Sequence, residues 1–181
     1  SIYAVEGYER AKTTTGLDVL AYQTCSDGHI WSFPSYLDAT TNAQYNRTWI
    51  YGPWLEALNL EAPTTTEEFY EVLKAFKTQD PNGNGKADEI PMVSSSLGQS
   101  YGVSWEYMMN AFQHSTNKKN FLISTEGQLS VSYTTDKWKE GVKYITKLVD
   151  EGLFDAVSFT QDTDTFKAIV NSSGDQLVGS F

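Results

Sequence analysis

The stretch that most limits how this chain can fold runs from residue 65 to residue 93. Thr65 stands three positions before Glu68, the pattern of a capping box with Thr65 as N-cap. Phe69, Val72, Leu73 and Phe76 follow at i, i+3, i+4 and i+7, which predicts a helix with one apolar face ending near Gln79. The polar run Asp80-Pro-Asn-Gly-Asn-Gly-Lys-Ala-Asp-Glu89 comes directly after it, and Ile90-Pro91-Met92-Val93 then reads as a short buried strand. A helix handed to a strand through one fixed polar loop is a building unit of α/β folds.

The loop has its own chemistry. Asp80, Asn82 and Asn84 occupy alternate positions, Gly85 supplies the sharp turn, and Lys86 offers its backbone carbonyl. Asp88 and Glu89 add two more carboxylates. This is the front half of the calcium-loop pattern D-x-[DN]-x-[DN]-G. Calcium takes six to eight oxygens in flexible geometry, whereas magnesium demands a tighter octahedron and keeps its waters. The glutamate that closes an EF-hand loop is replaced by Pro91, which cannot open a second helix. The expectation is therefore a helix-loop-strand site for a structural Ca²⁺ ion, with Asp80, Asn82, Asn84, Lys86, Asp88 and Glu89 as ligands. A plain solvated turn would not need three carboxylates that repel one another by roughly 1 kcal/mol per close pair even in high dielectric.

The remaining elements alternate. Ile30 to Phe33 reads as a mostly buried strand, a second apolar run covers Trp49 to Tyr51, and Pro53 suits the first turn of a short helix. A short helix is expected over Val5 to Lys12 and another segment of helical character over Trp105 to Phe112. Leu129 to Tyr133 alternates as a strand, Thr135 to Glu151 carries an apolar helix face of Trp138, Val142, Ile145, Leu148 and Val149, and Gly152 stops it. A helix over Thr163 to Val170 and a strand over Gln176 to Phe181 complete an α/β pattern.

With 181 residues the chain is long enough to bury a core. Its 23 acidic and 13 basic side chains give a net charge of −10, which disfavours nucleic acid and anionic lipid. Cys25 is the single cysteine and cannot form an internal disulfide. Ser1-Ile2-Tyr3 has neither a methionine nor a charged leader, so the chain reads as part of something longer.

Several of these stretches, in this order, resemble the family 1 extracellular solute-binding proteins of bacterial ABC importers. They are "DGHIWSFP", "WLEALNLEAPTT", "PTTTEEFYEVLKAFKTQDPNGNGKADEIPM", "YTTDKWKEGVKYITKLVDEGLFD" and "VGSF", covering about residue 27 to the end. The resemblance implies a two-lobed, periplasmic-binding-protein-like type II fold. It implies a carbohydrate or oligosaccharide in the inter-lobe cleft, a membrane ABC permease as partner, and a monomer held outside the cell by a lipid anchor. Residues 1–181 would then form a single α/β lobe, the second, with strands crossing between lobes near 29–35 and 176–181. Cys25 does not match the family's lipidation site.

Sugars present flat C–H faces to aromatic rings and hydroxyl edges to amides and carboxylates. Ligands of open α/β sheets lie beyond the carboxyl ends of the strands. That rule selects Ser35 and Tyr36, the loop from Ser94 to Glu106 with Gln99, Tyr101 and Trp105, and Phe181; Trp49 and Tyr51 are further candidates. Trp54 and Trp138 have helical partners and read as core. A catalytic site is not expected: "GVSWE" misses the nucleophile-elbow motif at Glu106, and His29 and His114 lack a neighbouring nucleophile. The alternatives are a sugar-active enzyme domain using Glu106 or Asp88, and a calcium-dependent adhesion module.

Overall fold

The computed structural model describes residues 9–10, 12–13, 16, 18–31, 47–96, 104–113, 122–125, 128–172 and 174–181. The chain divides into two compact units, Ser1–Tyr45 and Asn46–Phe181. In the first, helix α1 (Val19–Gln23) is capped by Asp18, whose Oδ1 accepts the Ala21 N–H at 3.2 Å. A tight turn follows, in which Cys25 N–H donates to the His29 carbonyl and Thr24 bridges Ile30 in antiparallel fashion. Of the expected strand at 30–33, this bridge is the described part, and residues 32–33 lie outside the described residues. Most of the helix expected over Val5 to Lys12 lies outside them too.

The second unit is built around three extended segments. Trp49 and Phe181 exchange N–H···O bonds of 2.7 and 3.0 Å, and Tyr51 N–H donates to Gly179 O, so 49–51 runs antiparallel to 179–181. On the other side, Ile90 N–H donates to Leu177 O, Gly179 N–H to Ile90 O and Val93 N–H to Ser180 O, a parallel pairing. Segment 177–181 therefore lies in the middle. The pairings stay short on the 90–93 side because Pro91 has no N–H to give a ladder.

Among the described residues this unit has five helices: α2 (Gly52–Ala57), α3 (Thr66–Thr78), α4 (Ser104–Met109), α5 (Asp136–Asp150) and α6 (Thr163–Val170). The capping box of α3 is complete: Glu68 N–H donates to Thr65 Oγ1 at 3.1 Å, and Thr65 N–H donates back to Glu68 Oε2 at 3.2 Å. The α3 helix is buried on two sides. Tyr70 and Leu73 join Met92, Met109, Leu148 and Phe154 in one cluster, while Val72 and Phe76 join Trp54 and Leu55 in another. A third cluster of Val93, Phe166 and Val178 fills the far side of the paired segments. Burial of each such side chain contributes roughly 1.5–3 kcal/mol of transfer free energy.

Two expectations are corrected. The strand expected over Leu129 to Tyr133 is strand β2 (Gln128–Val131), paired with β1 (Leu122–Thr125) as an antiparallel hairpin; Ser132–Thr134 coils into a 3₁₀ turn. Thr134 and Thr135 hydroxyls donate to the carbonyls of Val131 and Ser132, which offers the backbone a turn in place of a ladder. The apolar face of α5 is also rotated: Gly141, Ile145 and Leu148 are buried, whereas Val142 is 43% exposed. Gly141 faces Met109 and Phe112 closely enough to let α4 and α5 approach.

Candidate metal centre

The chain leaves α3 through Gln79 and turns at Asp80, which adopts φ 48°. A left-handed backbone is uncommon for a non-glycine residue and is best tolerated by Asn and Asp. Gly83 and Gly85 share this region at φ 71° and 75°, so the loop reverses direction repeatedly within a few residues. The Asp80 carboxylate organises that path. Its Oδ1 accepts the Asn84 N–H at 3.1 Å and its Oδ2 the Gly85 N–H at 3.0 Å. Asn82 Oδ1 accepts the Asn84 N–H at 3.0 Å, and Asn84 Oδ1 accepts the Lys86 N–H at 2.8 Å.

The amide nitrogens point toward the acidic groups. Asn84 Nδ2 donates to both oxygens of Asp88, at 3.2 and 3.3 Å, and to Asp175 Oδ2 at 3.3 Å. Asn82 Nδ2 reaches Asp88 Oδ1 at 3.4 Å and the Gln176 carbonyl at 3.2 Å. Glu89 is half-buried, and its Oε1 lies out of solvent with no hydrogen-bond partner among the described residues. Burial pushes the Glu89 carboxyl above its ordinary range, and the nearby charges of Asp80 and Asp88 push it the same way. Several acidic groups thus crowd one loop, and the asparagine amides are the donors that reach them; the side-chain and main-chain oxygens gathered there are of the kind calcium takes. Among the described residues, no three His, Cys, Asp or Glu side chains converge closely enough to form a metal cluster by themselves. Any ion here would rely on the amide oxygens and main-chain carbonyls as well.

Asp80, Asn82, Asn84, Asp88 and Glu89 lie together in this loop, with Lys86 exposed. Asp175 joins them from 91 positions downstream of Asn84, and no local pattern announced it. Its place is fixed by segment 177–181, which pairs with Ile90 next to the loop.

The ligand candidates are divided. Trp49 and Tyr51 are 57% and 38% exposed, and Tyr51 meets Trp54 edge-on at 6.0 Å. Trp105 is half-buried against the α3–α5 cluster, and Phe181 packs on Phe166 at 5.7 Å. Tyr36, Gln99 and Tyr101 lie outside the described residues. A groove of about 460 Å³ beside segment 48–50 is lined by Thr48, Ile50, Thr65, Phe69, Tyr107 and Tyr144. Trp54, 2% exposed, is core, as its helical spacing implied.

No protein-family model matches the chain. It is 35% identical over 153 residues to the fructooligosaccharide ABC transporter substrate-binding protein FusA of Streptococcus pneumoniae, a match covering 82% of this chain and 28% of FusA. It is 38% identical over 101 residues to lipoprotein LipO of Bacillus subtilis, covering 55% of this chain and 19% of LipO. Among solved structures, an HMO-binding, ABC-transporter-associated solute-binding protein from Bifidobacterium longum infantis superposes with a TM-score of 0.74 at 30% identity, over 99% of this chain and 37% of that one. FusA in complex with kestose superposes at 0.67, and a FusA EF-hand mutant with fructo-nystose at 0.69; both are 30% identical and match 98% of this chain and 37% of FusA. The chain spans about a quarter to a third of FusA and of the Bifidobacterium protein.

Proposed function

From its homology to a segment of the substrate-binding proteins of ABC transporters, which are not enzymes, we propose that this chain is one lobe's share of an extracellular carbohydrate-binding component of an importer. The observation that carries the reading is the kestose complex of FusA, which matches this chain nearly end to end. The chain's own surface agrees in kind. Trp49 and Tyr51 are exposed aromatic side chains on an extended segment, the sort of residue that covers sugar C–H faces. The net charge of −10 suits a neutral ligand better than an acidic one. The permease is the partner, and the full-length protein is held outside the cell by a lipid anchor, as LipO's designation as a lipoprotein suggests. Among the described residues, no helix is long and apolar enough to cross a membrane.

Calcium is the structural cofactor in this reading. Asp80, Asn82, Asn84, Asp88 and Glu89 would hold it, with the Lys86 carbonyl and with Asp175 close by. The ion would neutralise the acidic groups and pin the C-terminal end of α3 to the segment beginning at Ile90. That FusA, a relative of this chain, has been solved as an EF-hand mutant is in keeping with a cation loop. Thermal shift of the full-length protein against neutral oligosaccharides tests the whole reading. A rise in melting temperature with one sugar class supports it, and a flat response across all of them rejects it.

A further inference from the structure

We infer that Gln161 is a positioning residue for the ligand-facing end of the paired segments, an inference that rests on the binding function proposed above. Gln161 stands between the 3₁₀ turn Ala156–Phe159 and Asp162, the N-cap of α6, and is only 5% exposed. Its Nε2 donates to the Ser94 carbonyl at 2.6 Å, and its own carbonyl accepts the Ser96 N–H at 2.9 Å. Ser158, in the same turn, accepts the Ser94 N–H on its Oγ at 3.0 Å. The next residue back, Val93, donates its N–H to Ser180 O at 3.1 Å. The chain emerging from segment 90–93 is therefore fastened from both sides.

Main-chain groups that leave a ladder must find other partners, and at a surface water usually supplies them. Here a buried side-chain amide does so, although burying an amide is costly unless its bonds are made. Ser94 and Ser95 are themselves fully buried. The Oγ atoms of Ser95 and Ser180 and Oε1 of Gln161 have no hydrogen-bond partner among the described residues. The clamp partners main-chain groups that would otherwise be buried unpaired, and in doing so it fixes the path of Ser94–Ser96. Ser94–Ser96 lies just past the carboxyl end of a parallel segment, where open α/β sheets meet their ligands. Gln161 is too deeply buried to touch a ligand there, and it acts through Ser94 and Ser96.

The test uses the full-length protein and calorimetry with a panel of neutral oligosaccharides built from fructose, glucose or galactose. Gln161→Leu removes the amide. Gln161→Glu keeps the shape but turns an acceptor toward the Ser94 carbonyl, and it serves where the leucine variant folds poorly. Each should bind the tightest sugar of the panel about tenfold or more weakly, as expected when a contact surface shifts by about 1 Å. Ile145→Val, a conservative change in the α3–α5 core, should hold the dissociation constant within about twofold. Unchanged affinity in the Gln161 variants overturns the positioning role and leaves the binding function standing. An equal loss in Ile145→Val overturns it as well, because the effect then follows general stability. Failure of the unaltered protein to bind any sugar of the panel overturns the binding function, and this inference with it.

Discussion

Gly179 lies directly against the ring of Phe76, in a space that no side chain could share. A Cβ on this glycine would press on Phe76 and stand 2.8 Å from Trp54 Cζ3, and those two rings meet edge-on with centroids 5.2 Å apart. Both rings are buried and rigid, so neither can yield. Gly179→Ala should destabilise the chain by about 1–3 kcal/mol, the cost of overpacking. Urea unfolding with an unchanged midpoint would show that the rings can move aside.

The cap of α3 gives a local test. Thr65→Ala should cost about 0.5–2 kcal/mol, the usual worth of an N-cap. Glu68 is held below its ordinary carboxylate range, first by the Thr64 N–H and then by the Thr64 hydroxyl. A carboxylate depressed in the folded state stabilises above its unfolded value and loses that contribution as pH falls through the folded value. The gap in melting temperature between the unaltered chain and Glu68→Ala should therefore be widest near neutrality and close in acid. A gap independent of pH would exclude a charge-based cap.

Calcium should raise the melting temperature of the chain, with magnesium giving a smaller shift. Asp80→Ala should abolish the calcium response, and Asp175→Ala should weaken it. A response that survives Asp80→Ala would place the ion elsewhere.

Two tryptophans five positions apart should behave oppositely. Trp54→Ala opens the α2–α3 core and should cost about 3–5 kcal/mol. Trp49→Ala should leave the melting temperature nearly unchanged and weaken sugar binding by the full-length protein. Equal destabilisation by both would remove Trp49 from the ligand surface.

What could be read in advance was local. The capping box and the period of α3 each occupy a few consecutive residues, and each stands as expected; the path of the polar loop after it is set locally too, by Asp80 and Asn82 accepting backbone N–H groups within the loop. Asp175 could not be foreseen, because its approach to Asn84 depends on a pairing between distant segments. Gly141 and Gly179 stand inside an expected helix and an expected strand with nothing local to explain them, and both mark close packing. Val142 was assigned to the buried face of α5 because periodicity fixes spacing along a helix and not its rotation toward neighbours. The 3₁₀ turn after Val131 arose from threonine hydroxyls, which alternation of apolar residues does not register.

The order of the three paired segments has a kinetic consequence. The middle one, 177–181, follows both of its partners in sequence, so each pairing closes a loop of more than eighty residues. Such long-range closure is slow to nucleate.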